Sequence, residues 1–157
     1  MEPKTKVNAE DGKQDLRITR EFELPVELLF KAYVEPQIVE QWMGTKVIKL
    51  ESKKHGGWKF QTSDQEGNVL FQANGVIHEF IPDEKITRTF EMEGAPFEVQ
   101  LEYLEFTKIS DDRSKLDMQI IYRSNDIRDQ MLKVGVGMAK GINMAHNRLE
   151  EIVSKLK

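Results

Sequence analysis

The feature that most restricts this chain is a change of hydrophobic period along it. Between Lys46 and Tyr122 the period is two, as where Trp58, Phe60 and Thr62 alternate with Lys59, Gln61 and Ser63. That spacing puts one side of an extended chain indoors and the other in water. From Met138 the spacing becomes three and four. Met138, Ile142, Ala145, Leu149, Ile152, Val153 and Leu156 then share one side of a helix of about five turns. Many strands followed by one long amphipathic helix predict an α+β domain, with a curved antiparallel sheet of six or seven strands wrapped round that helix.

Turn and cap residues divide the pattern. Leu16, Ile18 and Phe22 alternate with Arg17, Thr19 and Glu21 as a first strand. Pro25 suits a helix start and Val26, Leu29, Phe30 and Tyr33 follow at helical spacing. Pro36 ends that helix and opens a second, with Val39, Trp42 and Met43, for which Gly44 is a natural C-terminal cap. Further strands run from Val47 to Glu51, from Trp58, from Val69 to Ile81, from Ile86 to Met92, from Phe97 and through Leu116 to Tyr122. Gly75 marks a bulge or bend in the third of these. Val99, Leu101 and Tyr103 fall on one parity and Leu104 and Phe106 on the other, which predicts a bulge near Tyr103. Asp126 is the expected cap of a short helix before the last one. Residues 1–15 are expected as a flexible arm, in which Thr5-Lys6-Val7 still suits a short edge strand, and residues 16–157 as one domain.

Composition excludes several classes. The 157 residues carry 23 basic and 27 acidic side chains, scattered in both signs, so no basic face for nucleic acid is expected. No apolar run has the length of a membrane span. The absence of cysteine removes thiolate nucleophiles and thiolate metal sites, and fits the cytoplasm.

Certain residues carry a resemblance. Arg20-Glu21-Phe22, Pro25, Leu29-Phe30, Ala32-Tyr33, Pro36 and Gln41-Trp42-Met43-Gly44 resemble the opening of the START-like (SRPBCC) superfamily. The branch is that of homologues of the activator of the ninety-kilodalton heat-shock chaperone ATPase. Gly56-Gly57-Trp58, Gly75 with Glu79, Pro82-Asp83-Glu84 and Phe90-Glu91 are similar to its central motifs. Arg128-Asp129 with Met131, and Gly137-Met138 with Gly141 ahead of Arg148-Leu149, are similar to its end. Departures are Met43 where a second aromatic is usual, Lys54-His55 for Arg-Pro, and Ala139-Lys140 for acidic residues. The resemblance implies the helix-grip fold and a cavity that takes apolar small molecules. Members of the superfamily include lipid carriers, hormone receptors, polyketide cyclases, antibiotic-sequestering proteins and co-chaperones.

The candidate chemistry is sparse. No two of His55, His78 and His146 show metal-ligand spacing, and no cofactor is expected. His55 reads as solvated and His146 as partly exposed on the flank of the last helix. Either His78 or Glu79 faces inward, but not both. Arg88 shares parity with Ile86 and Phe90, so an inward guanidinium needs a glutamate partner or an anionic ligand. Tyr103 and Tyr122 offer hydroxyls, and Met43, Met92, Met118 and Met138 either line an adaptable pocket or fill gaps. Gly137 and Gly141 bring the helix close to the sheet or leave room at a cavity mouth. The expected ligand-binding set is Trp42, Trp58, Phe60, His78, Arg88, Phe90, Tyr103, Met118, Tyr122, Met138 and Ile142. The function expected first is non-catalytic binding of an apolar or amphipathic small molecule or lipid. The rivals are an acid–base enzyme of cyclase or hydrolase type, using His78 or Glu79 with Arg88 or a tyrosine, and a module that binds a protein partner.

Overall fold

In the computed structural model, which describes residues 3–134 and 137–157, the alternation around Ile18 becomes a strand with Leu16, Ile18, Arg20 and Phe22 buried. The order is β1 (Lys6–Asn8), β2 (Asp15–Phe22), α1 (Val26–Val34), α2 (Pro36–Met43), β3 (Lys46–Leu50), β4 (Gly57–Ser63), β5 (Val69–Ile81), β6 (Lys85–Met92), β7 (Gln100–Ser110), β8 (Arg113–Ile121), α3 (Asn125–Val134) and α4 (Met138–Ser154). All strands join one open sheet in the order β1-β2-β8-β7-β6-β5-β4-β3, and every pairing is antiparallel. Phe22, Leu104, Phe106 and Leu116 of the sheet share one core with Leu29, Phe30 and Tyr33 of α1, Val39 and Trp42 of α2, and Leu149 and Val153 of α4.

Several expectations change. The sheet has eight strands because part of the N-terminal arm joins it: β1 pairs Lys6 with Thr19 and Asn8 with Arg17, and Thr5 is buried. No bulge occurs at Tyr103; β7 stays in register with both neighbours there and begins at Gln100. Its inner face is Gln100, Glu102, Leu104 and Phe106, so two polar residues take positions where apolar ones were sought. The bulge in β5 falls at His78, not at Gly75. Ser124, not Asp126, caps α3, its Oγ accepting from the backbone N–H of Ile127 at 3.1 Å. Leu156 lies beyond the end of α4 and is exposed. Gly137 takes φ +89°, a conformation that suits glycine, whereas a Cβ on the exposed Gly141 would meet nothing, so close packing on the sheet is not its purpose.

His146 is buried, contrary to expectation, because Arg20 draws that side of α4 inward. The Arg20 side chain has no exposed surface. Its Nη1 donates to Asn147 Oδ1 at 2.8 Å, Thr5 Oγ1 at 3.3 Å and the carbonyl of Asn143 at 3.4 Å. Its Nη2 donates to Glu150 Oε2 at 3.0 Å, while Glu150 Oε1 accepts from the backbone N–H of Glu23 at 2.7 Å. Thr5 Oγ1, which accepts from Arg20, lies 2.8 Å from His146 Nδ1. The threonine hydroxyl therefore has its proton free for Nδ1, which favours the neutral imidazole protonated at Nε2. Burial, and then the Arg20 charge, push the His146 pKa down to about 4.

Two outcomes follow. Leu149 is fully buried, and Leu149→Ala should cost about 2–5 kcal/mol in urea melts. His146 titrates at about 4 when folded, below the ordinary histidine value of 6.5, so the unfolded chain binds more protons between those values. Its contribution is complete above pH 6.5 and is lost as pH falls towards 4. Urea melts at pH 7.5 and 5.0 should differ by roughly 2 kcal/mol from this group, and His146→Asn should remove that difference.

Candidate functional site

The registers of four strand pairs set the inner face of the sheet in ranks. One rank runs Phe80, Ile86, Leu104, Met118, Ile18, and the next Ile77, Arg88, Glu102, Ile120, Leu16. Ile77 and Phe80 both face inward although three residues apart, because the bulge at His78 inserts one residue between them. The second rank places a charge pair between apolar residues at the middle of the sheet.

Arg88 and Glu102 are both buried, and Nε of the arginine donates to Glu102 Oε1 at 2.9 Å. Gln100, beside Phe90 in the following rank, donates through Nε2 to Glu102 Oε2 at 2.9 Å. Two phenols lie within electrostatic reach of this group. Burial drives the Tyr33 hydroxyl well above its ordinary range, Arg88 opposing and Glu102 adding to the effect. Tyr122 is pushed up to about 12 by burial, with Glu102 adding and Arg128 opposing. Both phenols stay neutral at ordinary pH.

An aromatic floor supports the arginine. The guanidinium carbon of Arg88 lies 5.3 Å from the centre of the Trp58 ring, which packs on Phe60 at 4.8 Å and Phe90 at 5.6 Å. Trp58 is fixed by its Nε1, which donates to the carbonyl of Thr89 at 3.2 Å. The approach depends on Gly75: a Cβ there would stand 1.9 Å from the Thr89 carbonyl oxygen and 2.5 Å from Trp58 Nε1. The Thr89 hydroxyl accepts from the backbone N–H of Val76 at 2.9 Å where the β5–β6 ladder is interrupted.

The expected residues separate into groups. Trp58, Phe60, Arg88 and Phe90 come together as described. Met118, Tyr122, Met138 and Ile142 gather in a second cluster with Leu16, Ile18, Ile127, Met131 and Leu132, and Met118 also packs against the main core. Trp42 sits elsewhere, between α1, α2 and α4, with Nε1 donating to the carbonyl of Ala32 at 2.7 Å and its ring against Tyr33 and His146. Neither His78 nor Glu79 faces inward. His78 is exposed at the bulge, and Glu79 accepts from Thr87 Oγ1 at 3.0 Å and pairs with Lys85 at 3.1 Å on the outer face. Tyr103 also turns outward, into an open depression of about 310 Å³ with Arg17, Lys85, Glu105 and Asp117. Met43 is exposed and Met92 half-buried. Glu102, Gln100 and Tyr33 were not in the expected set. The parity of Leu104 and Phe106, carried back along β7, points to Glu102 and Gln100.

Residues 23–154 match the model of the family described as Activator of Hsp90 ATPase homolog 1-like protein. The chain belongs to this family, within the START-like (SRPBCC) superfamily. Its fold is similar to that of a Rhodobacter sphaeroides protein at TM-score 0.83 and 17% identity, over 96% of this chain and 99% of that one. A Nitrosomonas europaea protein is similar at TM-score 0.78 and 19% identity, over 96% and 100%. A putative protein in the dynemicin biosynthetic locus is similar at TM-score 0.67 and 13% identity, over 92% of this chain and 49% of that one. These identities show a common fold alone. No curated protein matches the sequence. Among the described residues no helix is long and apolar enough to cross a membrane.

The charge pair sets a stability signature. Arg88→Met leaves the Glu102 carboxylate buried without its cation and should cost about 3–5 kcal/mol, whereas Arg88→Met with Glu102→Met should recover most of that loss in urea melts.

Proposed function

We propose that this family member binds a small amphipathic molecule between the inner face of its sheet and the N-terminal half of α4, without chemistry upon it. The observation that carries the reading is the Arg88–Glu102–Gln100 group, a polar centre set between the apolar rank of Ile86 and Leu104 on one side and Trp58, Phe60 and Phe90 on the other. The cover over α4 is unequal, which supports the same reading. His146, Leu149 and Val153 of its C-terminal half are buried, whereas Met138 and Ile142 of its N-terminal half are only partly so. Trp58, Phe60 and Phe90 would form one wall of the site, Met118, Met138 and Ile142 the other, and Tyr122 would stand beside the polar group. A helix-grip arrangement and a cytoplasmic setting belong to the same proposal.

The enzyme reading has less support. Glu102 accepts from Arg88 through one oxygen and from Gln100 through the other, so its carboxylate is held as the partner of two side chains of the sheet. His78 is exposed, and His146 belongs to the Arg20 group under α4.

Nile red, a neutral environment-sensitive dye, tests the proposal. Saturable binding with a blue-shifted emission is expected, and dye at 100 times its Kd should stabilise the fold by about 2.7 kcal/mol and raise Tm. Met138→Trp should weaken binding, and Tyr103→Ala on the outer face should leave it unchanged. Absence of both saturable fluorescence and any change in Tm overturns the reading.

A further inference from the structure

The two members of the central charge pair differ in spare capacity. Both carboxylate oxygens of Glu102 are engaged, Oε1 by Arg88 and Oε2 by Gln100. Arg88 has engaged only Nε. Among the described residues nothing accepts from its two terminal nitrogens, and about a tenth of its side chain (10%) is open. A polar group arriving at this point meets hydrogen-bond donors, so it must bring an acceptor.

Glu102 decides what charge that acceptor can carry. The positive charge of Arg88 is already answered, so a carboxylate would leave the buried group with one net negative charge and a phosphate with up to about two. Burying an unanswered charge is strongly unfavourable. No spare cation offsets it among the described groups that face the pair. Arg20 and Arg128 act on Tyr33 and Tyr122, but Arg20 is paired with Glu150 at 3.0 Å and Arg128 with Asp129 at 3.2 Å. Arg128 also donates to the carbonyls of Glu10 and Asp15. A cationic ligand would meet the open, positively charged end of Arg88, and the glutamate charge that could answer it is already paired with that arginine.

We infer that Glu102 is a specificity-determining residue, and that the ligand is a neutral amphipath whose polar end, a ketone, ester or alcohol oxygen, accepts hydrogen bonds from Arg88. This rests on the binding proposed above. It narrows the ligand from any amphipath to an uncharged one, and it assigns the exclusion of anions to one carboxylate.

The test uses two probes of equal chain length, methyl dodecanoate and dodecanoate, each displacing Nile red at pH 8, where the acid is ionised. The wild-type protein should bind the ester about tenfold or more tightly than the anion. Glu102→Gln removes the opposing charge at nearly constant size and should shift the ratio towards dodecanoate by about tenfold or more, with dodecanoate raising the Tm of this variant above its effect on wild type. Glu102→Asp keeps the charge and should keep the preference for the ester. Equal binding, or tighter binding of the anion, by the wild-type protein overturns the inference and leaves the binding reading intact. An unchanged ester preference in a folded Glu102→Gln variant overturns the role of Glu102. Failure of Nile red and both probes to bind wild type overturns the binding reading itself. If Glu102→Gln does not fold, the wild-type ratio and the Glu102→Asp variant decide.

Discussion

The position of α4 depends on one buried guanidinium. Arg20 stands on the inner face of β2, in rank with Leu116 and Phe106, where an unpaired charge would be prohibitive. Four acceptors from two other parts of the chain make it tolerable: Thr5 ahead of β1, and the Asn143 carbonyl, Asn147 and Glu150 of α4. Residues 143, 147 and 150 are spaced four and three apart, so they form one stripe on the helix. His146, Leu149 and Val153 form the neighbouring stripe, and meeting Arg20 with the first stripe directs the second into the core. The arginine Nε remains buried without a partner, so even this network leaves one donor unsatisfied.

A second arginine on the same face is answered in a different way. Arg88 takes its carboxylate from the adjacent strand, so the pair is complete within the sheet and requires nothing from a helix. The consequence is a division of the inner face. Where Arg20 stands, a helix is tied down; where Arg88 stands, the sheet is electrically neutral and asks for no countercharge, only for acceptors at the terminal nitrogens of Arg88. That contrast connects charge placement to the unequal burial of the two halves of α4.

Regular features of the chain were legible because they rest on local rules. The strand positions, the two proline-started helices and the cap at Gly44, whose φ is +65°, follow from side-chain period and backbone sterics. The candidate site was legible only in part. Parity with Ile86 and Phe90 points to Arg88, and charge alone requires an anionic partner for an inward guanidinium, a glutamate or a ligand, without choosing between them. Its partner stays hidden because the opposite parities of Val99, Leu101 and Tyr103 and of Leu104 and Phe106 predict a bulge near Tyr103, which the strand does not have. Tertiary pairing decided the case: Glu102 and Gln100 satisfy each other and Arg88, so burying them no longer leaves bare polar groups. His78 was misplaced for a different reason. A bulge reverses parity at one residue, and no single residue type announces it. His146 reads as partly exposed because nothing local reveals an arginine 126 positions earlier in the chain lying beside it.

Membership of the family accounts for the sheet and helices but not for selectivity, since one fold supports many ligands. Selectivity needs polar groups held still. Trp58 supplies the stiffness here: its indole N–H occupies the Thr89 carbonyl where the β5–β6 ladder lapses, and Gly75 keeps that approach open. The ring is thus fixed from β6, the same strand that carries Arg88, and its face lies against the guanidinium. Glu102 holds the arginine from the opposite neighbour, β7, with Gln100 holding the carboxylate in turn. Arg88 is therefore restrained from both sides with its terminal nitrogens left over, and a group so restrained can discriminate among acceptors because it does not reorganise to suit them.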